Sequence, residues 1–202
     1  GEPNRFFVVI HHLSIDGVSW RILLDDMNSH LESLLSGKTP EQRMKGSSYR
    51  QWQERLVSYS TSEELKEEES YWKSVESEVT DLTTDRTYDG ETLKREEGHK
   101  RLVLSKEETH SLLYQSHQAY GTEINDLLLS ALSVSLNKWQ GTESQVIGLE
   151  GHGREELFDD LDISQTVGWF TSMYPVVLPF RGEDLSITIV DVKESLRSVP
   201  NK

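Results

Sequence analysis

Phe6-Phe7-Val8-Val9-Ile10 is an unbroken apolar run of aromatic and β-branched residues. A run of that length and type predicts a strand buried on both faces. It leads into His11-His12-Leu13-Ser14-Ile15-Asp16-Gly17, where Asp-Gly is turn chemistry. Ile22, Leu23, Met27, Leu31, Leu34 and Leu35 then recur at helical spacing, and Gly37 is placed to stop that helix. Two more helices are expected within 47–77, one carrying Tyr49, Trp52 and Leu56, the other Leu65, Trp72 and Val75. The acidic stretch between them reads as a solvated helix face. Residues 80–98 are polar, hold Asp89-Gly90, and read as a connector between two halves. A short strand is expected over Lys100 to Leu104. Ser105 and Glu108 then form a capping-box pattern for a helix ending near Gly121. The most periodic segment follows, with Ile124, Leu127, Leu128, Ala131, Leu132, Leu136 and Trp139, and Gly141 as its stop. Strands are expected at Val146 to Leu149 and Tyr174 to Leu178. Strands and helices alternate, so the expected class is α/β or α+β.

Composition narrows the functional classes. The chain has 202 residues and no cysteine, which removes disulfides, thiolate nucleophiles and cysteine-based zinc sites. Its formal charge of −14 repels phosphate backbones and disfavours nucleic acid as a partner. No apolar run approaches the length of a membrane span, and no basic-then-apolar leader opens the sequence. A soluble, cytoplasmic protein is the expectation. The apolar fraction is low, about 38% when glycine is counted in place of tyrosine. A water-rich surface, or a piece of a larger body, would explain it.

Several catalytic signatures are missing. There is no Gly-x-Ser-x-Gly elbow, no phosphate loop and no His-Glu-x-x-His. Gly151-His152-Gly153 begins a dinucleotide pattern, but its third glycine position holds Glu156. His11 and His12 are adjacent, so on a strand they point to opposite faces and do not suit one metal ion. Two motifs remain. His11-His12-x-x-x-Asp16-Gly17 follows the first apolar run, and Glu150-Gly151-His152-Gly153-Arg154-Glu155 follows a later strand. Each alone also reads as an ordinary strand-to-loop bend. The two glycines of the second suggest close approach to the backbone.

Together these motifs resemble the condensation/epimerization superfamily of non-ribosomal peptide synthetases. The shared marker is the segment from His11 to Gly17. Val18-Ser19-Trp20-Arg21, the segment from Glu150 to Glu155, and Thr166-Val167-Gly168-Trp169-Phe170-Thr171 with Tyr174-Pro175-Val176 resemble the epimerization branch in particular. The resemblance implies a two-lobe fold similar to chloramphenicol acetyltransferase, with a tunnel between the lobes. Members are about twice this long, so the chain is expected to be a central fragment, inactive alone. Residues 1–85 would finish the N-lobe, 86–98 would connect, and 99–202 would begin the C-lobe.

The resemblance also implies a reaction: L-to-D epimerization at the α-carbon of an aminoacyl or peptidyl thioester. The substrate would hang on the phosphopantetheine arm of a carrier domain, with neighbouring synthetase modules as partners and no cofactor bound directly. No pyridoxal group is needed, because the thioester itself acidifies the α-carbon. One group must remove the proton, another must return it to the opposite face, and the enolate-like intermediate needs stabilisation. His12 and Glu150 are the matching positions, with acid and base unassigned. His11 and Asp16 are expected to be structural, Asp16 holding its loop through backbone bonds or an ion pair to Arg154 or Arg21. Gly17 and Gly151 are expected as backbone devices. His152 and Arg154 belong to the glutamate motif. Trp169 and Tyr174 read as packing. The alternative reading is a condensation domain, which uses the same histidine motif to join two carrier-bound groups but typically lacks the glutamate motif.

Overall fold

In the computed structural model, residues 5–42 and 44–201 are described. The chain divides into two compact units, one made of 1–70, 149–174 and 201–202, the other of 71–148 and 175–200. The lobe boundaries expected from the resemblance concern a different division.

The first unit carries α1 (Gly17–Leu35), α2 (Tyr49–Tyr59) and α3 (Glu63–Glu67). Asp16 caps α1 by accepting the Ser19 N–H at 2.7 Å. Ser48 and Gln51 close a capping box on α2. The core of this unit is Trp52, Ile163 and Phe170, with Leu56, Leu157, Phe158 and Leu161 around it. Trp52 meets Phe158 edge-on at 5.3 Å between centroids, and Tyr49 meets Phe170 at 5.0 Å. Hydrogen bonds from the segment before α2 reinforce the contact: Ser47 N–H donates to the Asp162 carbonyl at 2.6 Å, and Thr166 Oγ1 donates to the Ser47 carbonyl at 2.6 Å. Residues 46–60 and 158–170, far apart in sequence, thus form one packed layer.

The second unit holds most of α4 (Glu69–Ser77), then α5 (Lys106–Tyr114), α6 (His117–Tyr120), α7 (Ile124–Gln140) and α8 (Leu185–Arg197). The chain passes between the units along β1 (Ser144–Gly151) and β2 (Ser172–Pro179), which pair as a two-stranded sheet. Val176, Leu178, Val192 and Leu196 are buried, α7 packs on α8, and Ser133 Oγ donates to the Pro179 carbonyl at 2.6 Å. Among the described residues, no helix is long and apolar enough to cross a membrane.

Several expected elements differ. Phe6 to Ile10 and Lys100 to Leu104 form no strand. Phe7 is 87% exposed and Leu102 90%, and no described segment pairs with either run. A strand exists only through a neighbour's ladder, which composition alone does not supply. The stretch 47–77 makes three helices rather than two, because the chain breaks around Glu68. The helix capped by Ser105 ends at Tyr114, and a separate turn carries the chain to Gly121. On α1 only Ile22 of the expected stripe is buried. On α7 the buried positions are Asp126, Ser130 and Ser133, while Leu128, Leu132 and Trp139 are exposed. Helix α8 lies outside the expected elements, although Asp184 caps it and Thr188, Val192 and Leu196 follow at four-residue spacing.

One buried cluster fastens the first unit. The Asp16 side chain is 4% exposed and the Arg154 side chain 7%, with Arg154 Nη2 and Asp16 Oδ2 3.4 Å apart. Asp16 Oδ2 also accepts the Phe170 N–H at 3.0 Å. Arg154 donates to the carbonyls of Ile163 (2.8 Å) and Thr166 (2.9 Å) and to Ser19 Oγ (2.9 Å), and its guanidinium lies 4.0 Å from the Phe170 ring centroid. Of Arg21 and Arg154, it is Arg154 that partners Asp16. Burial pushes the Asp16 carboxyl up, but hydrogen bonds from Ser19 and Phe170 and the Arg154 charge outweigh it and hold the group below its ordinary range.

Removing one member leaves the other buried and uncompensated, so Arg154→Met should cost about 3–5 kcal/mol of stability, read by chemical denaturation. Asp16→Asn combined with Arg154→Met should recover part of that loss. Because the Asp16 pKa is depressed on folding, its contribution is complete above the ordinary aspartate value of 3.8 and is lost as pH falls through the lower folded-state value. Unfolding midpoints measured from pH 6 to pH 2 should therefore drop more steeply in wild type than in Asp16→Asn; equal slopes would refute the assignment.

Candidate active site

His12 opens a short 3-10 turn, His12–Ser14, immediately before the Asp16 cap. Its Nδ1 lies 2.9 Å from the Ile15 carbonyl. A carbonyl carries no proton, so the hydrogen of that bond sits on Nδ1 and the neutral ring keeps its lone pair on Nε2. His11 is turned to other work: its Nδ1 accepts the Leu13 N–H at 3.2 Å and caps the same turn. The two adjacent imidazoles therefore have opposite backbone roles, one accepting and one donating.

Glu150 stands near the end of β1 and is exposed. It lines an open cleft of about 300 Å³ with Asp16, Gly17, Val18, Arg21, Gly151, His152 and Thr171. His12 borders the same loop but is not part of that lining. No hydrogen bond joins His12 to Glu150; their connection is electrostatic. The His12 pKa lies above its ordinary 6.5, mainly through its own backbone carbonyl and that of Ile15; burial opposes this, and the lesser charges of Glu150 and Asp16 add to it. Both side chains belong to the first compact unit.

The glutamate motif is shaped by close backbone approach. Gly153 has φ of +65°, and a Cβ there would lie 1.6 Å from the Phe170 carbonyl oxygen. Only glycine fits. At Gly151 a Cβ would come within 2.8 Å of Ser172 Oγ. Gly17 differs from expectation: its φ is not positive and a Cβ would meet nothing within 4 Å, so the backbone does not require glycine there. It does leave the cleft wall bare. His152 Nδ1 accepts the Arg154 N–H at 3.0 Å and lies 3.1 Å from Glu155 Oε2. That nitrogen has room for one hydrogen, so it serves the Arg154 amide or the Glu155 carboxylate, not both.

Two residues gain importance beyond the sequence reading. Ser19 is fully buried, and its hydroxyl donates to the Gly168 carbonyl (2.8 Å) while accepting the Gly168 N–H (3.0 Å) and Arg154 Nη2 (2.9 Å). Every bonding position of that oxygen is used. It joins the histidine motif, the glutamate motif and the segment 166–171 at one point. Trp169, expected as packing, lies with its ring 6.3 Å from the His12 ring. The signal for Ser19 was present in its place three residues after Asp16, the spacing of an N-cap bond.

Comparison with known proteins identifies the family and the fold. The condensation domain family matches residues 2–202. Tyrocidine synthase 2 of Brevibacillus parabrevis is 41% identical over 205 residues, which are 100% of this chain and 6% of that protein. Gramicidin S synthase 1 of Brevibacillus brevis is 41% identical, over 98% of this chain and 18% of its own length. The chain thus spans a small part of the length of these relatives. Among solved structures, the epimerization domain from the third module of tyrocidine synthetase B superposes with a TM-score of 0.82 at 41% identity, over 96% of this chain and 43% of that one. The first condensation domain of the CDA synthetase, at 18% identity and a TM-score of 0.68 over 93% of this chain and 41% of that one, shares the fold. The chain shares the chloramphenicol acetyltransferase-like fold of these structures, is similar to segments of non-ribosomal peptide synthetases, and belongs to the condensation domain family.

Proposed function

We propose that this chain carries the acid/base pair of an epimerization domain acting on an aminoacyl or peptidyl thioester. The observation that supports it best is the pairing of a His12 imidazole, its tautomer fixed with Nε2 free, with the through-space charge of Glu150. The 41% identity to a solved epimerization domain, and a glutamate motif complete from Glu150 to Glu155, point the same way.

In this reading the thioester is presented on a carrier domain's phosphopantetheine arm. His12 Nε2 and the Glu150 carboxylate exchange protons with the two faces of the α-carbon. The C–H electron pair moves into the thioester carbonyl as the proton leaves, giving an enolate, and returns to carbon when the second group delivers its proton. The net change is inversion with no other bond altered. The first turn of α1 and Arg21, both at the cleft, contribute positive potential for the developing negative charge. Asp16 and Arg154 act by holding the histidine loop against the glutamate loop.

In the intact synthetase, with a loaded carrier in heavy water, deuterium should enter the α-position and both stereoisomers should accumulate. His12→Gln and Glu150→Gln should each slow that exchange by roughly 10²–10⁴-fold; unchanged exchange in both would overturn the proposal. Amide bond formation with a second loaded acceptor carrier, without exchange, would instead identify a condensation domain. The pH dependence has a defined sign. A raised His12 pKa keeps the imidazole protonated to higher pH, so its titration followed by NMR should centre above 6.5 in wild type and move down in Glu150→Gln.

A further inference from the structure

Residues 168–170 are pinned on every side. The Gly168 carbonyl accepts the Asp16 N–H at 3.0 Å and the Ser19 hydroxyl at 2.8 Å, and the Gly168 N–H donates to Ser19 Oγ at 3.0 Å. The Trp169 carbonyl accepts the Tyr49 hydroxyl at 2.8 Å, and the Phe170 N–H donates to Asp16 Oδ2 at 3.0 Å. Such density of backbone bonds usually serves packing, and Phe170 is indeed only 5% exposed. Trp169 is not used that way. It is 40% exposed, and its ring stands 6.3 Å from the His12 ring at 53°. The clamp fixes the backbone of a large aromatic residue, leaves that residue partly exposed, and sets it beside the imidazole that would handle the α-proton.

An indole face takes apolar and aromatic groups well, through dispersion over a large flat area and through its quadrupole. The atoms within one side chain's reach of a general base at an α-carbon are that carbon's own substituents. We propose that Trp169 is a specificity-determining residue: its indole is the wall against which the apolar side chain on the reacting α-carbon packs, so the site favours a bulky apolar residue over a small one. This rests on the epimerization reading and adds the substrate class to it. Trp169 takes no proton; it acts by contact with the substrate.

The test uses the intact synthetase with its carrier loaded with L-phenylalanine or L-alanine, and reads α-deuterium exchange. Trp169→Ala should lower kcat/KM for the phenylalanyl carrier by roughly ten- to a hundredfold, chiefly through KM, and for the alanyl carrier by less than about threefold. Trp169→Phe should retain most of the preference, as a conservative replacement for an aromatic wall. An unchanged phenylalanyl-to-alanyl ratio in Trp169→Ala, with wild-type exchange intact, would overturn this inference and leave the epimerization reading standing. A second measurement needs no turnover. An unreactive phenylalanyl pantetheine thioether should shift the tryptophan emission of wild type and not of Trp169→Phe, while the alanyl analogue should shift wild type only weakly. Failure of exchange in wild type with this emission change present would remove the epimerization reading and keep the contact. Equal emission changes in wild type and Trp169→Phe would remove the contact.

Discussion

A carboxylate and a guanidinium buried against each other are an expensive way to hold a fold, because both must leave water. In this chain the cost is spread over many bonds. The Asp16 carboxylate is met by two backbone N–H groups and by Arg154, and Arg154 reaches two carbonyls and the Ser19 hydroxyl besides. The partners come from three stretches of sequence: 16–19, residue 154, and 163–170. The cluster therefore specifies which loops meet rather than merely adding stability. Ser19 is its centre, since its saturated hydroxyl leaves no alternative arrangement with the same number of bonds. The stretch His11 to Ile15 hangs directly from this point, so the direction of the His12 ring follows from a charge pair it does not touch.

Much of this was legible because it is local. A Ser-x-x-Glu box at Ser105 and Gly141 after a periodic helix act within a few residues, and each forms as expected, whereas Asp16-Gly17, read as a turn, is instead the N-cap and first residue of α1. The partner of Asp16 was not legible. Arg21 and Arg154 carry the same charge, and only folding brings residue 154 rather than residue 21 to the carboxylate. The runs at 6–10 and 100–104 fail for the same reason in another form: β-branched composition proposes a strand, but no described segment offers a ladder. Helix α7 inverts the usual rule. Ser130 and Ser133 are buried while Leu128 and Leu132 are exposed and its other leucines are only half-buried, a choice that periodicity cannot make because it reports two faces without saying which one is covered.

Candidate site residues can be named from the sequence, but their geometry cannot. His12 and Glu150 do communicate, but through charge rather than contact, and Glu150 is exposed rather than buried. That carboxylate faces the open cleft. The imidazole, by contrast, arrives tuned: the Ile15 carbonyl selects its tautomer without a second side chain. This division suits the proposed reaction, whose substrate would be large and tethered. A base that depends on its own backbone is ready before the substrate enters, whereas a carboxylate open to solvent can be desolvated by the thioester itself.

Glycine placement extends that argument to the loop after β1. Gly153 must be glycine because the Phe170 carbonyl occupies the space a Cβ would need, and that close approach sets where the guanidinium of the next residue, Arg154, can go. Phe170 in turn sits beneath Arg154 and donates its N–H to Asp16. Glu150, Gly153, Arg154, Phe170 and Asp16 are therefore successive links of one mechanical chain that ends at the histidine turn. A methyl group at position 153 would disturb the histidine loop through backbone alone, without altering any group that handles a proton. The glutamate motif thus joins a proposed proton-transfer carboxylate at its first position to a structural anchor at its fifth, and the close backbone approach at Gly153 lets six consecutive residues carry both.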